Sequence, residues 1–217
     1  MKGLLVKDLR LVFKRRQQLF ILLAICVMIA FTSDGSFAIG YAALLTGMLG
    51  LTPLAHDERN NAFPFLFSLP VDARTYVNER YLFCILADVA GILFGVALFA
   101  AACVTKGATD QLADGLCYAA LYLPATMFLL LTILTIQMIF GLERSRLITF
   151  VLYGIIFVLA AVAAKAVGPL DGGEAAKNLP EWIRNPAVIA SAAIVLVAAV
   201  GAVLYRVCLR TMQNREF

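Results

Sequence analysis

Charged residues are scarce in this sequence. They make up 15% of the 217 residues, whereas soluble domains contain about 25%. Hydrophobic residues make up 62%, well above the roughly 45–50% of soluble domains. Uncharged apolar runs recur from one end of the chain to the other, so a polar shell around a single core cannot form. The composition therefore excludes a water-soluble fold and indicates a protein surrounded by lipid.

The sequence also lacks the short motifs that carry known catalytic chemistry. It contains no HExxH, no GxSxG and no GxxxxGK[ST] phosphate-binding loop. The single histidine, His56, stands beside Asp57 and Glu58, a grouping that is typical of a solvated helix end. We therefore expect no enzyme activity and no ATP binding in this chain, and any energy source must come from a partner. A membrane-embedded enzyme without a recognised motif is the alternative.

The cysteines form no recognisable framework. There are five of them, and no two form a CxxC pair. This spacing argues against a metal site and against a disulfide-based fold. Cys103 and Cys117 flank the same predicted external loop, so a disulfide between them stays open beside the simpler interpretation that both are packing residues.

Six apolar segments approach the length that a helix needs to cross a bilayer, which is about 20 residues. The sequence thus predicts an all-α, polytopic membrane protein with one transmembrane domain, residues 1–217. The predicted spans are 19–31 with its flanks, 37–55, 81–104, 116–140, 147–167 and 187–207. The first could be a signal-peptide core, because basic residues precede it. Since residues 30–33 lack the small residue that ends an A-x-A-like cleavage site, we expect an anchor that stays in place.

Lysine and arginine are distributed unequally between the two sides that six spans define. Fourteen of them fall in the N-terminal segment, the loops 56–80 and 141–146 and the C-terminal tail, and four fall on the other side. Basic residues accumulate on the cytoplasmic side, so both termini are predicted to be cytoplasmic and the protein to lie in the cytoplasmic membrane. The external side receives the loop 168–186, whose prolines and glycines exclude one regular element.

Residues 1–16 have the pattern of an amphipathic interfacial helix. Its apolar face consists of Leu5, Leu9, Val12 and Phe13, and its basic stripe of Lys7, Arg10 and Lys14. Such a helix lies in the headgroup plane of the bilayer. It is either an anchor attracted to anionic lipids or a contact for a cytoplasmic partner, and the sequence leaves both open.

The cytoplasmic loop 56–80 mixes charged residues with aromatic ones. The polar group is Asp57, Glu58, Arg59 and Asn60, and the aromatic group is Phe63, Phe65 and Phe67. Aromatic anchors inside a charged rim are typical of protein interfaces, so the loop is a candidate docking surface. The alternative is that the aromatic side chains dip into the membrane interface.

Several short motifs follow one another in a definite order around the first three spans. They are Lys7-Asp8, Asp57-Glu58-Arg59-Asn60, Ser68-Leu69-Pro70-Val71 with Arg74, and Arg80-Tyr81. In this order they resemble the type 2 ABC exporter permeases of bacteria, which are the membrane subunits of ATP-binding-cassette transporters. The resemblance covers nearly the whole chain in the order of its spans.

The resemblance implies a six-span half-transporter that exports a peptide, a lipid or a drug-like substrate. It implies pairing with a second permease, identical or different, and with a cytoplasmic ATPase that binds ATP and Mg²⁺, while this chain holds no cofactor. Residues 57–67 would form the coupling helix seated in the ATPase. Membrane lipid is a further expected partner and nucleic acid is not. A membrane scaffold or sensor that transports nothing is the alternative.

Asp88 is a carboxylate inside the third predicted span. It follows Tyr81 by seven residues, about 10 Å along the helix. A charged group at that depth is costly and by default indicates function. Asp88 shares a face with Gly91 and Gly95, a pair that favours close helix contact, so we expect it to point into the protein. A structural acid and a role in substrate passage or proton handling both fit. Further intramembrane polar candidates in the fourth span are Thr132, Thr135 and Gln137.

Overall fold

The structure is a computed structural model, and it describes residues 2–14, 16–32, 36–60, 72–107, 112–167 and 186–213. Within these ranges the chain forms seven α-helices. They are α1 (Lys2–Lys14), α2 (Arg16–Thr32), α3 (Ser36–Arg59), α4 (Ala73–Lys106), α5 (Leu112–Phe140), α6 (Leu142–Val167) and α7 (Pro186–Gln213). The predicted all-α class is confirmed for this part of the chain.

Each predicted span falls inside one of the helices α2 to α7. Over the described residues, α3, α4, α5 and α7 are long and apolar enough to cross a membrane. A fifth crossing results if α1 and α2, which meet at an angle of 71°, are counted together as one broken span. The chain is therefore a multi-pass membrane protein. The count of six spans and the interfacial position of α1 stay predictions.

Helix α4 is longer than the sequence predicted. It begins at Ala73, eight residues before the predicted start of its span, and α3 continues to Arg59. The loop 56–80 is thus helical at both of its ends. Apolar length alone could not predict this, because the first two turns of α4 contain the polar residues Glu79 and Arg80. Both are buried, and they find their partners inside the protein.

Helices α3 and α4 form the most extensive contact between elements. Glycine makes it possible. A Cβ atom at Gly91 would lie 2.8 Å from the Cα atom of Ala43, and one at Gly95 would lie 2.7 Å from the Cα atom of Ile39. Real Cβ atoms do not approach backbone so closely, so the two helices can pack at this distance only because both positions lack a side chain.

A second region of close packing joins α3, α4, α5 and α7 near the ends that carry the loop 56–80. Its members are buried apolar residues from all four helices: Leu51, Leu54, Tyr76, Val77, Tyr81, Cys84, Leu130, Leu131, Ile133, Leu134, Met138, Cys208 and Met212. The Cys208 thiol lies 3.5 Å from the Met138 sulfur. This packing holds in place the helix ends that carry the polar site.

The outward surface of the bundle is apolar, as lipid contact requires. Phe20, Leu147 and Phe150 are among the large exposed side chains, and Phe150 is 81% exposed. All five cysteines are free thiols in the structure. Cys103 is buried and Cys117 is exposed.

Candidate functional site

A buried ionic cluster lies where α1, the end of α3 and the start of α4 meet. At its centre is Arg80, which is 1% exposed. Its Nη1 atom donates to Oδ2 of Asp8, and its Nη2 atom donates to Oδ2 of Asp57. Both carboxylates are also buried. Hydrogen bonds between ionised groups are stronger than neutral ones, so Arg80 holds three helices together from the inside.

Lys7 and Tyr76 also bind the carboxylate of Asp57. The Nζ atom of Lys7 lies 2.8 Å from Oδ1 and 3.1 Å from Oδ2 of Asp57. The Tyr76 hydroxyl donates to Oδ2 of the same carboxylate at 3.5 Å. The guanidinium of Arg80 also lies over the Tyr76 ring, 4.8 Å from its centroid, which is a cation–π contact. Asp57 is thus bound by side chains of both α1 and α4.

Glu79 adds a third acidic side chain to the cluster. It is 1% exposed, and its Oε2 atom lies 3.6 Å from the Nε atom of Arg80. The carboxylates of Asp8, Asp57 and Glu79 therefore share two cations, Arg80 and Lys7. Removing a charge from such a buried set costs more than removing a surface pair, because the remaining charges lose compensation away from water. Below, the six residues Lys7, Asp8, Asp57, Tyr76, Glu79 and Arg80 are called the Arg80 cluster.

The structure shows which side of α1 faces the protein. Asp8 and the partly buried Leu4 face the protein, whereas Leu9 and Phe13, predicted on one apolar face, are 51% and 61% exposed. Lys7, predicted in the basic stripe, turns toward Asp57. Helical spacing of four places Leu4 and Asp8 together, but an acid on the inward face is recognisable only once its partner, Arg80, is known.

The predicted coupling residues have different roles at the end of α3. Asp57 is 3% exposed and belongs to the Arg80 cluster, so it does not form an exposed rim. Oε1 of Glu58 accepts a hydrogen bond from the Leu142 backbone nitrogen at 2.6 Å. Glu58 therefore caps the start of α6.

The turn before α6 has no room for a larger residue. It contains Gly141, whose φ of 79° lies in the left-handed region and where a Cβ atom would lie 2.6 Å from Oε1 of Glu58. Arg59 and Asn60 are exposed, and the Asn60 amide nitrogen lies 2.9 Å from Nδ1 of His56. The aromatic candidates Phe63, Phe65 and Phe67 lie outside the described residues.

The intramembrane polar candidates do not form one group, because they contact different partners. Asp88 is 1% exposed, and the Thr126 hydroxyl donates to its Oδ2 atom at 3.2 Å. Thr135 lies 2.6 Å from the Tyr81 hydroxyl oxygen, and Thr132 donates to its own helix, to the carbonyl of Phe128.

Gln137 lines a cavity between α3, α5 and α6, and its buried Oε1 atom accepts no hydrogen bond from the described residues. In that part of the chain no group of three or more His, Cys, Asp or Glu side chains is arranged to hold a metal ion.

The sequence anticipated the members of the Arg80 cluster unevenly. Lys7-Asp8, Asp57 and Arg80 belong to three of the motifs that carried the family resemblance, and the structure brings all three motifs into one cluster. Tyr76 and Glu79 were missed, as was Thr126. The only signal for Tyr76 is its spacing of four residues from Arg80, and the only signal for Glu79 is its position next to Arg80. Neither indicates burial.

Comparison with known protein families gives a match that covers residues 3–212. The matched family is described as ABC-2 family transporter protein. No curated protein and no solved structure matches the chain. The match includes nearly all of the seven helices and every residue of the Arg80 cluster. The chain therefore belongs to the ABC-2 family of transporter proteins and is a membrane permease subunit of that family.

Proposed function

We propose that the chain is the permease of an ATP-driven exporter and that residues 57–67 receive the motion of a cytoplasmic ATPase. The ATPase binds ATP and Mg²⁺ and hydrolyses the ATP, and a second permease completes the pathway for a peptide, lipid or drug-like substrate. The Arg80 cluster is the observation that carries this proposal. It joins the helix that enters the proposed coupling segment to the helix that follows it, and to α1.

The contacts around the segment explain how motion there would spread. Asp57 is the first residue of the segment and is bound to Arg80 of α4, and α3 packs against α4 through Gly91 and Gly95. A displacement of the segment would therefore move α3 and α4 together. The neighbouring residue Glu58 holds the start of α6. Two adjacent side chains thus connect one segment to four helices, which is the connectivity that a rigid-body rocking mechanism needs.

The same contacts support the proposed topology of six spans with both termini in the cytoplasm. The bond between Glu58 and Leu142 places the end of α3 beside the start of α6. The end of α3 and the start of α6 therefore lie close together, which supports our proposal that the basic loops 56–80 and 141–146 are on one face of the membrane. The Arg80 cluster adds α1 to that face.

Copurification tests the coupling assignment. We would tag the chain, extract it in mild detergent and quantify the ATPase that accompanies it. Phe63→Ala, Phe65→Ala and Phe67→Ala should each weaken the association by about thirtyfold, because truncating a buried anchor commonly costs about 2 kcal/mol or more. Arg59→Ala is the matched control, since Arg59 is exposed and rim charges are usually worth below about 1 kcal/mol.

Two results would contradict the assignment. If all three phenylalanine variants retain the ATPase and insert normally, the aromatic side chains do not anchor it, and α1 becomes the candidate contact. If no ATPase accompanies the wild-type chain under conditions that preserve its membrane fold, the proposal of an ATP-driven exporter is itself wrong. Glu58 is unsuitable as a rim control, because its substitution would also release the start of α6.

A further inference from the structure

A large groove between α3, α5 and α6 is separate from the Arg80 cluster. Its volume is about 970 Å³, and it extends along α3 from Met48 to Asn60. Twelve residues of helix rise by about 18 Å, which is slightly more than half of a hydrocarbon core of about 30 Å. The groove is therefore long enough to follow one leaflet of the bilayer.

The two ends of the groove differ in chemistry. His56, Arg59 and Asn60 lie at the end of α3, and Arg146 lies in the second turn of α6, so the polar groups gather at one end. Deeper parts are lined by apolar side chains, including Met48, Leu129 and Tyr153 with Gly154 beside it. This polarity matches a molecule with one polar head and long apolar chains.

The positive charge at the polar end of the groove indicates which head group the bound molecule would have. Two arginines line the groove there, and none of the described residues that line it is acidic. Among the described residues neither Arg59 nor Arg146 forms an ion pair, although carboxylates such as Glu58 and Glu143 lie nearby in sequence. Two guanidinium groups without a carboxylate partner favour a phosphate, which arginine binds with two parallel hydrogen bonds.

Gln137 provides an independent sign of a polar ligand atom. It lines the same groove, and its Oε1 atom is buried without a hydrogen-bond donor from the described residues. Buried polar atoms are almost always satisfied in native proteins. A hydroxyl on the head of a bound molecule would supply the missing donor.

From these observations we propose that the groove is a binding site for an anionic phospholipid of the adjoining leaflet. Arg59 and Arg146 hold the phosphate, and the acyl chains lie along α3 and α6 toward Gly154. This proposal requires membrane insertion but not the proposed transport, so a lipid assay without any ATPase tests it separately.

The test is native mass spectrometry of the full-length chain in micelles containing equal amounts of dioleoylphosphatidylglycerol and dioleoylphosphatidylcholine. The two lipids share their acyl chains, and they differ in net head charge and in the head-group hydroxyls that only the glycerol head has. The wild type should retain the anionic lipid preferentially. The double variant Arg59→Gln/Arg146→Gln should lower that preference by roughly tenfold or more, because each lost cation weakens attraction to an anionic lipid.

Arg74→Gln/Arg144→Gln is the matched control. It removes the same charge from two exposed positions that do not line the groove, so the lipid preference should stay that of the wild type. A second pair tests the acyl-chain path. A Cβ atom at Gly154 meets nothing within 4 Å, so Gly154→Phe should fill the groove and reduce binding of both lipids severalfold, whereas Gly154→Ala should not.

Three outcomes would overturn the proposal. Equal losses in the two double arginine variants would mean that charge attracts lipid without a site. Unchanged binding in both Arg59→Gln/Arg146→Gln and Gly154→Phe would mean that the groove holds no lipid. Replacement of the lipid adduct by a dimer of the chain, abolished by Gly154→Phe, would mean that a second copy occupies the groove.

Discussion

Substituting Arg80 by methionine should destabilise the protein far more than substituting an exposed arginine of the same helix. The change removes the cation that Asp8 and Asp57 share and leaves these two buried carboxylates with Lys7 alone. Breaking a buried ion pair by removing one partner costs about 3–5 kcal/mol. Arg74→Met removes an exposed charge two turns earlier in α4, and such surface changes usually stay within about 0.5 kcal/mol.

The assay is the free energy of unfolding in mixed micelles, measured by circular dichroism as sodium dodecyl sulfate is titrated. A triple variant separates ionic from packing effects. Adding Asp8→Asn and Asp57→Asn to Arg80→Met neutralises the two buried carboxylates that have lost their cation, so at least about 1–2 kcal/mol should return. The reasoning is refuted if Arg80→Met is as stable as Arg74→Met, or if the triple variant is no more stable than Arg80→Met alone.

Three further predictions concern topology, the buried acid and the glycine contact. In a cysteine-free background, single cysteines at Asp110 and Asn178 should react with an impermeant thiol reagent on intact cells, and one at Asn61 should not; equal reaction at all three would refute the topology. Asp88→Asn should fold normally because Thr126 can still donate to the amide oxygen, and normal ATP-dependent transport by this variant would remove a functional role for the charge. Gly95→Leu should lower the free energy of unfolding by about 1–3 kcal/mol through overpacking against α3. An unchanged free energy of unfolding would show that α3 and α4 do not pack tightly at this position.

The helices could be predicted from the sequence because each long apolar run needs a helix to satisfy its backbone in lipid. All six predicted spans lie within observed helices. The early start of α4 could not be predicted in this way. Its first two turns are polar, and they stay helical because Glu79 and Arg80 are buried against α1 and α3, which lie far away in sequence.

Several residues of the site could be predicted from the sequence, but their contacts with one another could not. The motifs with Asp8, Asp57 and Arg80 were visible, but their ion pairs join residues 72 and 23 positions apart. No local periodicity reports such a separation. Burial of Asp88 could be predicted, because Gly91 and Gly95 mark a close helix contact. Its partner Thr126 could not, because a threonine in an apolar helix usually bonds to its own backbone.

Photo-crosslinking in cells tests the proposed coupling most directly. The photoreactive residue p-benzoylphenylalanine would replace Phe63, Phe65 or Phe67 in turn, and Phe37 as an exposed apolar control at the opposite end of α3. The account predicts an ultraviolet-dependent adduct between the chain and an ATP-binding-cassette ATPase at one or more of the three segment positions, and none at Phe37. Adducts with lipid alone at all three segment positions, in cells where each variant inserts normally, would contradict it.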